Sequence, residues 1–239
     1  MKDIPLDERI IFALDFSDPE LAKQWVARLD RHIRFFKVGL QLFLAGGWPV
    51  VDAIVERGNK VMVDLKFFDI PETVRLAVEQ LRSHGVTFAT VHGNDPIIRA
   101  AVASKGDVKI LAVTVLTSYD EQDMREMGFT GSVSDLVLLR SRKALALRCD
   151  GVVSSALEAA KLRHELGSQF LVVTPGIRPG LNQDVIRKDD QKRIATAREA
   201  IMNGADHVVI GRPISTAADP LAQTDALQQE IAAALSNAS

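Results

Sequence analysis

Within the stretch from Val61 to Val74, VMVDLKFFDIPETV, an apolar run carries Asp64, Lys66 and Asp69. A buried parallel strand normally reads as a continuous hydrophobic run, so these charges break the pattern they sit in. Strand side chains alternate with period two, which places Asp64 and Lys66 on one face about 7 Å apart along the strand, where they can pair. Such a pair is compatible with acid-base or electrostatic chemistry. Asp69 lies beyond the strand, before Ile70-Pro71, and a proline in the first turn suits a helix running through Glu72, Thr73 and Val74. An isolated Asp-x-Lys is equally an ordinary ion pair at a strand end. What separates the two readings is whether other groups converge on it.

The elements that must position these charges are legible along the chain. Apolar runs at Ile10–Phe16, Phe35–Leu40, Val61–Phe67, Phe88–Gly93, Lys109–Leu116, Gly151–Ser155, Phe170–Thr174 and His207–Ile210 alternate with amphipathic segments. Helices are expected at Glu20–Asp30, at Gln41–Arg57, up to His84-Gly85, at Ile97–Ser104, irregularly over Asp120–Leu147, and at Leu157–Leu166, Ala195–Asn203 and Pro220–Leu235. Strands alternating with helices, without a break in composition, predict α/β architecture: one (β/α)8 TIM barrel over residues 1–239.

Such barrels place their sites at the C-terminal strand ends. Here those ends carry Asp15, Lys37, Asp64 with Lys66, His92, Thr117 with Ser118, Pro175-Gly176 and Gly211-Arg212. The first three strands are neighbours, so Asp15, Lys37, Asp64 and Lys66 are expected to meet in an alternating array. Each buried ion alone would cost several kcal/mol, and apolar residues would serve stability as well or better, which favours a functional reading. After the last strand, Gly211 lets the backbone approach an anion and Arg212 offers a fork of donors to phosphate, although G-R-P also reads as a plain turn. The polar excursion from Pro175 to Lys192 suits a lid, with Arg178 and Gln191 closing over the same phosphate.

Composition narrows the alternatives. A chain of 239 residues, 47% hydrophobic and with a net charge of -2, supports one sizeable core and gives no global signal for nucleic acid or membrane. One cysteine, Cys149, leaves no intramolecular disulfide. The segment MKDIPLDERI is too charged for a signal peptide, and no apolar run approaches the roughly 18 residues of a membrane span, so a cytoplasmic protein is expected. The five histidines are scattered; His32, His84 and His164 are expected at exposed positions and His92 as a packed histidine, so no metal site is predicted. Without a nucleophile elbow, P-loop or dinucleotide fingerprint, acid-base or electrostatic chemistry without a cofactor is what is left.

The motifs FALDF, KVGLQLF, DLKFFDIPETV, VTVLTS, TPGIRP and VIGRPI, in that order over nearly the whole length, closely resemble the orotidine 5′-phosphate decarboxylase family. The resemblance implies decarboxylation of orotidine 5′-monophosphate to UMP, the last step of de novo pyrimidine synthesis, with no cofactor. By it, Asp15 and Lys37 hold ribose hydroxyls, Asp64 lies against the substrate carboxylate and Lys66 protonates C6. Thr117 and Ser118 sit near the pyrimidine, and Pro175 and Gly176 shape the pocket beside it. Arg178, Gln191, Gly211 and Arg212 bind the 5′-phosphate. Asp69, Ile70 and Thr73 reach across a homodimer interface into the neighbouring site. This sequence departs from the family in Phe68 and Glu72, where many members have His and Asn. Two rivals remain at this point: a magnesium-dependent barrel sharing D-x-K-x-x-D, such as a hexulose-phosphate synthase or keto-gulonate-phosphate decarboxylase, and a catalytically silent nucleotide-binding barrel.

Overall fold

The computed structural model describes residues 2–180 and 193–237. Its strands are β1 (Ile10–Ala13), β2 (Phe35–Gly39), β3 (Lys60–Phe67), β4 (Phe88–His92), β5 (Lys109–Val113), β6 (Gly151–Val153), β7 (Leu171–Thr174) and β8 (His207–Ile210). Each pairs in parallel with the next, and β8 returns to β1 with Ile10 opposite Val208 and Phe12 opposite Ile210, closing the expected barrel. The helices are α1 (Leu6–Arg9), α2 (Pro19–Leu29), α3 (Leu40–Glu56), α4 (Pro71–Leu81), α5 (Asp95–Ser104), α6 (Glu121–Glu126), α7 (Val133–Ala146), α8 (Ala156–Leu166), α9 (Ala197–Met202), α10 (Arg212–Ser215) and α11 (Pro220–Ser236). Among the described residues no helix is long and apolar enough to cross a membrane.

Local chemistry sets the boundaries. The Asp18 carboxylate accepts from the Glu20 amide at 2.9 Å, with Pro19 preset for the first turn of α2. The irregular region over 120–147 resolves into α6, capped by Asp120, and α7, capped by Ser132. The helix expected over 41–57 is interrupted at Gly47, whose φ of 54° and ψ of -146° leave the helical region one residue before Trp48-Pro49. The apolar runs at the ends of β1 and β5 continue past the ladders, because Leu14–Phe16 and Thr114–Leu116 have already turned into loops at the barrel mouth.

Alternation divides the strand residues between two apolar layers. Ile10, Phe12, Phe36, Val38, Val61 and Val63 face the helices, whereas Ile11, Phe35, Met62, Phe88, Leu111, Val153, Leu171 and Val173 fill the barrel interior. The bottom is plugged by aromatic packing, with Phe35 4.8 Å from Phe88 and both rings edge-on to His207.

His207 is buried, and its Nδ1 lies 2.8 Å from the Glu8 carbonyl oxygen. Burial pushes its pKa from the ordinary 6.5 down to about 4, against the opposing pull of the Glu8 carbonyl and Asp206. The unfolded chain therefore binds a proton that the folded one resists. Stability is complete above pH 6.5 and falls as pH drops towards 4, by about 3 kcal/mol for this group. Urea unfolding of His207→Gln should lose correspondingly less stability between pH 7 and pH 4 than the wild type; parallel losses would show that this ring is not the group responsible.

Candidate active site

The C-terminal strand ends enclose a cavity of about 430 Å³ lined by Asp15, Lys37, Asp64, Lys66, Thr117, Ser118, Pro175, Gly176, Arg178, Gly211 and Arg212. Ala13, Met62, Leu116, Val153 and Val209 complete its lining. These apolar residues went unrecognised in the sequence because inward-facing barrel positions and pocket floor have the same hydrophobic pattern.

The charged array forms as a chain of contacts. Lys37 Nζ lies 2.9 Å from Asp15 Oδ1 and 3.8 Å from Asp64 Oδ2, and Lys66 Nζ lies 2.9 Å from both Asp64 oxygens. Register explains the first half: Ala13 is opposite Lys37, and Gly39 opposite Asp64. Gly39 leaves the room that Lys37 needs, since a Cβ there would stand 3.1 Å from the ammonium. Burial opposes the charge on Lys37, but Asp64 and Asp15 outweigh it and hold its pKa above the ordinary lysine value. Burial likewise opposes the Asp64 carboxylate; Lys37, Lys66 and the hydrogen bonds from Lys66 and Thr90 prevail and hold its pKa below the usual range. The array is therefore ionised throughout its buried centre.

Lys66 reaches Asp64 by a different route from regular alternation. Between Val63 and Phe67 the β3–β4 register shifts: four steps of β3 run past the two from Ala89 to Val91. Within this bulge Lys66 has a φ of 49°, a left-handed conformation that is uncommon outside glycine and costs about 1–2 kcal/mol. Its amide donates to the Thr90 hydroxyl at 3.0 Å, and that hydroxyl donates to Asp64 Oδ1 at 2.8 Å. Thr90, buried on β4, thus replaces a lost ladder bond and orients the carboxylate. Sequence reasoning missed it; a hydroxyl among the inward positions Phe88, Thr90 and His92 was the available signal.

At the opposite end, Gly211 caps the single turn of α10, its carbonyl accepting from the Ile214 and Ser215 amides. Packing here is close: a Cβ at this position would stand 3.2 Å from Ala13 Cβ, so a larger residue would need its neighbour to shift by a few tenths of an ångström. Arg178 is buried, and its amide donates to the Ala195 carbonyl while the Ala195 amide donates to that of Gly176. Gly176 turns with a φ of 79°. Gln191 lies outside the described residues.

Asp69, Ile70 and Thr73 do not line this cavity and are exposed at the barrel mouth, the Asp69 carboxylate accepting from the Ile70 amide at 2.6 Å. His92 packs against Phe68 with ring centroids 4.6 Å apart. Burial, then Arg140 and Lys66, hold its pKa below the ordinary value. Of the other histidines, His164 is exposed as expected. His32 and His84 are half-buried instead, each with Nδ1 against a carboxylate, Asp225 and Asp52 respectively. Among the described residues no three His, Cys, Asp or Glu side chains converge as metal ligands.

A closed (β/α)8 barrel that gathers buried, ionised side chains at the C-terminal ends of its strands defines an enzyme-type site. The family model described as Orotidine 5'-phosphate decarboxylase / HUMPS family matches residues 8–227, and the chain belongs to that family. It is 52% identical over 231 residues to the orotidine 5'-phosphate decarboxylase of Methylococcus capsulatus, covering 96% of this chain and 94% of that one. A Rhodopseudomonas palustris protein of the same name is 49% identical over 229 residues, covering 95% and 96% respectively. The crystal structure of orotidine 5'-phosphate decarboxylase from Lactobacillus acidophilus superposes with a TM-score of 0.82 at 34% identity, covering 94% of this chain and 99% of that one.

Proposed function

We propose that this protein is a carboxy-lyase that converts orotidine 5′-monophosphate to UMP and carbon dioxide, the last step of de novo pyrimidine synthesis, without a cofactor. The observation that carries the reading is the Lys66 ammonium, held against Asp64 on a strained bulge inside the cavity. Loss of carbon dioxide breaks the bond from C6 to the carboxylate carbon and leaves the electron pair in the ring plane, where the π-system cannot delocalise it. Preorganised charge is then the means of stabilisation. Lys66 supplies that charge and transfers an N–H proton to C6; the neutral amine regains a proton from solvent.

The remaining roles are those that the family resemblance implies. Asp15 and Lys37 hold ribose hydroxyls and keep the array in register. Asp64 lies beside the departing carboxylate, Thr117 and Ser118 meet the pyrimidine, and Pro175 and Gly176 shape its surroundings. Arg178, Gln191, Gly211 and Arg212 take the 5′-phosphate, whose binding energy can be spent on desolvation at the reacting carbon. Asp69, Ile70 and Thr73 act across a homodimer interface, and their exposure in the single chain supports that role. The reading requires no nucleic acid or membrane surface, and the cytoplasm is the proposed location.

The magnesium-dependent barrels with D-x-K-x-x-D are the rival to test, because the family description spans more than one kind of enzyme. Both Asp64 oxygens are engaged by Lys66, and Lys37 adds a second cation, so a metal at this carboxylate would have to displace ammonium groups. Orotidine 5′-monophosphate consumption, followed by absorbance, is expected to proceed at the same rate with and without EDTA. Activity that disappears in EDTA and returns only with magnesium would overturn the assignment.

A further inference from the structure

We propose that Arg193 is a positioning residue that ties the phosphate end of the cavity to the loop facing the base. The inference rests on the nucleotide reading above for what those two ends bind. Beyond β5 the chain turns through Thr114–Ser118, and the carbonyls of Thr114, Val115 and Leu116 precede Thr117 and Ser118 at the cavity wall. Two guanidinium groups take those three carbonyls. Arg140, on α7, donates to Thr114 at 2.5 Å, and Arg193 donates to Val115 at 3.3 Å and Leu116 at 3.1 Å. Glu158, in the first turn of α8, pairs through Oε1 with Arg193 Nη1 at 2.6 Å, Nη2 being the atom that holds the two carbonyls.

Arg193 also stands at the root of the phosphate end. Two residues on, Ala195 forms a parallel bridge with Ile177, exchanging backbone hydrogen bonds with Gly176 and Arg178. Residues 193–195 therefore grip the base loop with a side chain and the Gly176–Arg178 turn with the backbone. Movement of either end changes the geometry at the other.

The ion pair is poorly built for stability alone. The Arg193 and Glu158 side chains are only 10% and 7% exposed, yet Arg193 Nε and Glu158 Oε2 are buried without a hydrogen-bond partner among the described residues. A half-satisfied buried pair stabilises less than apolar packing of the same volume, whereas a planar fork can hold two carbonyls and a carboxylate in one fixed geometry. Arg193 was missed in the sequence because nothing distinguishes it from the other charges of DDQKRI.

The test uses ribose 5-phosphate, which carries the sugar and phosphate without a base, and follows amide hydrogen exchange across the 114–119 loop. Saturating ribose 5-phosphate is expected to slow exchange there in the wild type and to leave it unchanged in Arg193→Met. Turnover of orotidine 5′-monophosphate by that variant should fall about 100-fold in kcat with less than a tenfold change in KM, as expected for misplacement of the base by about 1 Å. Arg193→Lys, which keeps the charge but lacks the fork, should recover thermal stability without recovering the exchange response. If Arg193→Met does not fold, Arg193→Lys alone decides the matter.

Slowing that persists in the folded variants, or is absent from the wild type, would overturn the coupling, as would full recovery of kcat by lysine. A wild type that binds ribose 5-phosphate with the expected loop response but does not consume the nucleotide would instead overturn the functional reading and leave the coupling standing.

Discussion

Lys66→Ala is expected to lower decarboxylation of orotidine 5′-monophosphate by about 10⁴-fold or more, because one substitution removes the proton donor and the charge facing C6. UMP affinity should change by less than about tenfold, since the lost interactions act mainly in the transition state. Asp64 does not become an isolated buried charge in this variant: Lys37 lies 3.8 Å away and the Thr90 hydroxyl still donates to it. Single-turnover measurement on a folded variant with UMP affinity in hand separates chemistry from binding. Near-normal turnover would remove Lys66 from the proton-donor role. The bulge adds a control, because alanine retains the strain at a φ of 49° while glycine relieves it. Lys66→Gly should therefore be about 1 kcal/mol more stable than Lys66→Ala, with activity equally lost.

A similarly large loss is expected for Asp69→Ala, with the distinguishing result coming from mixtures. If Asp69 acts in the neighbouring site, a dimer of one Asp69→Ala and one Lys66→Ala chain contains one site lacking both groups and one wild-type site. Random exchange of equal amounts makes half the dimers hybrids, so about a quarter of wild-type activity should return from two inactive preparations. The physical basis is exposure. Ile70 is 67% exposed and Phe68 65% exposed beside Asp69 and Thr73, an apolar and acidic tip projecting from the mouth that does not line its own cavity. Mixtures that stay inactive while subunit exchange is demonstrated independently would place Asp69 outside the shared-site role.

Predicted and observed elements agree where local rules are strong. Strands surrounded by other elements are apolar on both faces, and helix starts such as Asp18-Pro19 and Asp219-Pro220 combine a cap with a preset first turn. Agreement is weaker where the chain leaves regular structure. The apolar run through Leu14–Phe16 resembles strand in its composition, yet the β1 ladder stops at Ala13 and these residues carry Asp15 into the cavity. Gly47 breaks α3 in a segment whose flanking periodicity favoured one helix.

Residue pattern alone determined the barrel, the order of its strands and the meeting of Lys37 and Asp64, because closure makes consecutive parallel strands neighbours and period two directs their side chains inward; Asp15 joins them from the loop that follows β1. Only the tertiary structure decided how Lys66 reaches Asp64, why Thr90 matters and what Arg193 joins. A bulge forms according to what the adjacent strand offers its displaced amide, and here the offer is the Thr90 hydroxyl. A buried arginine selects carbonyls that are near in space and distant in the chain, and no local periodicity records that choice.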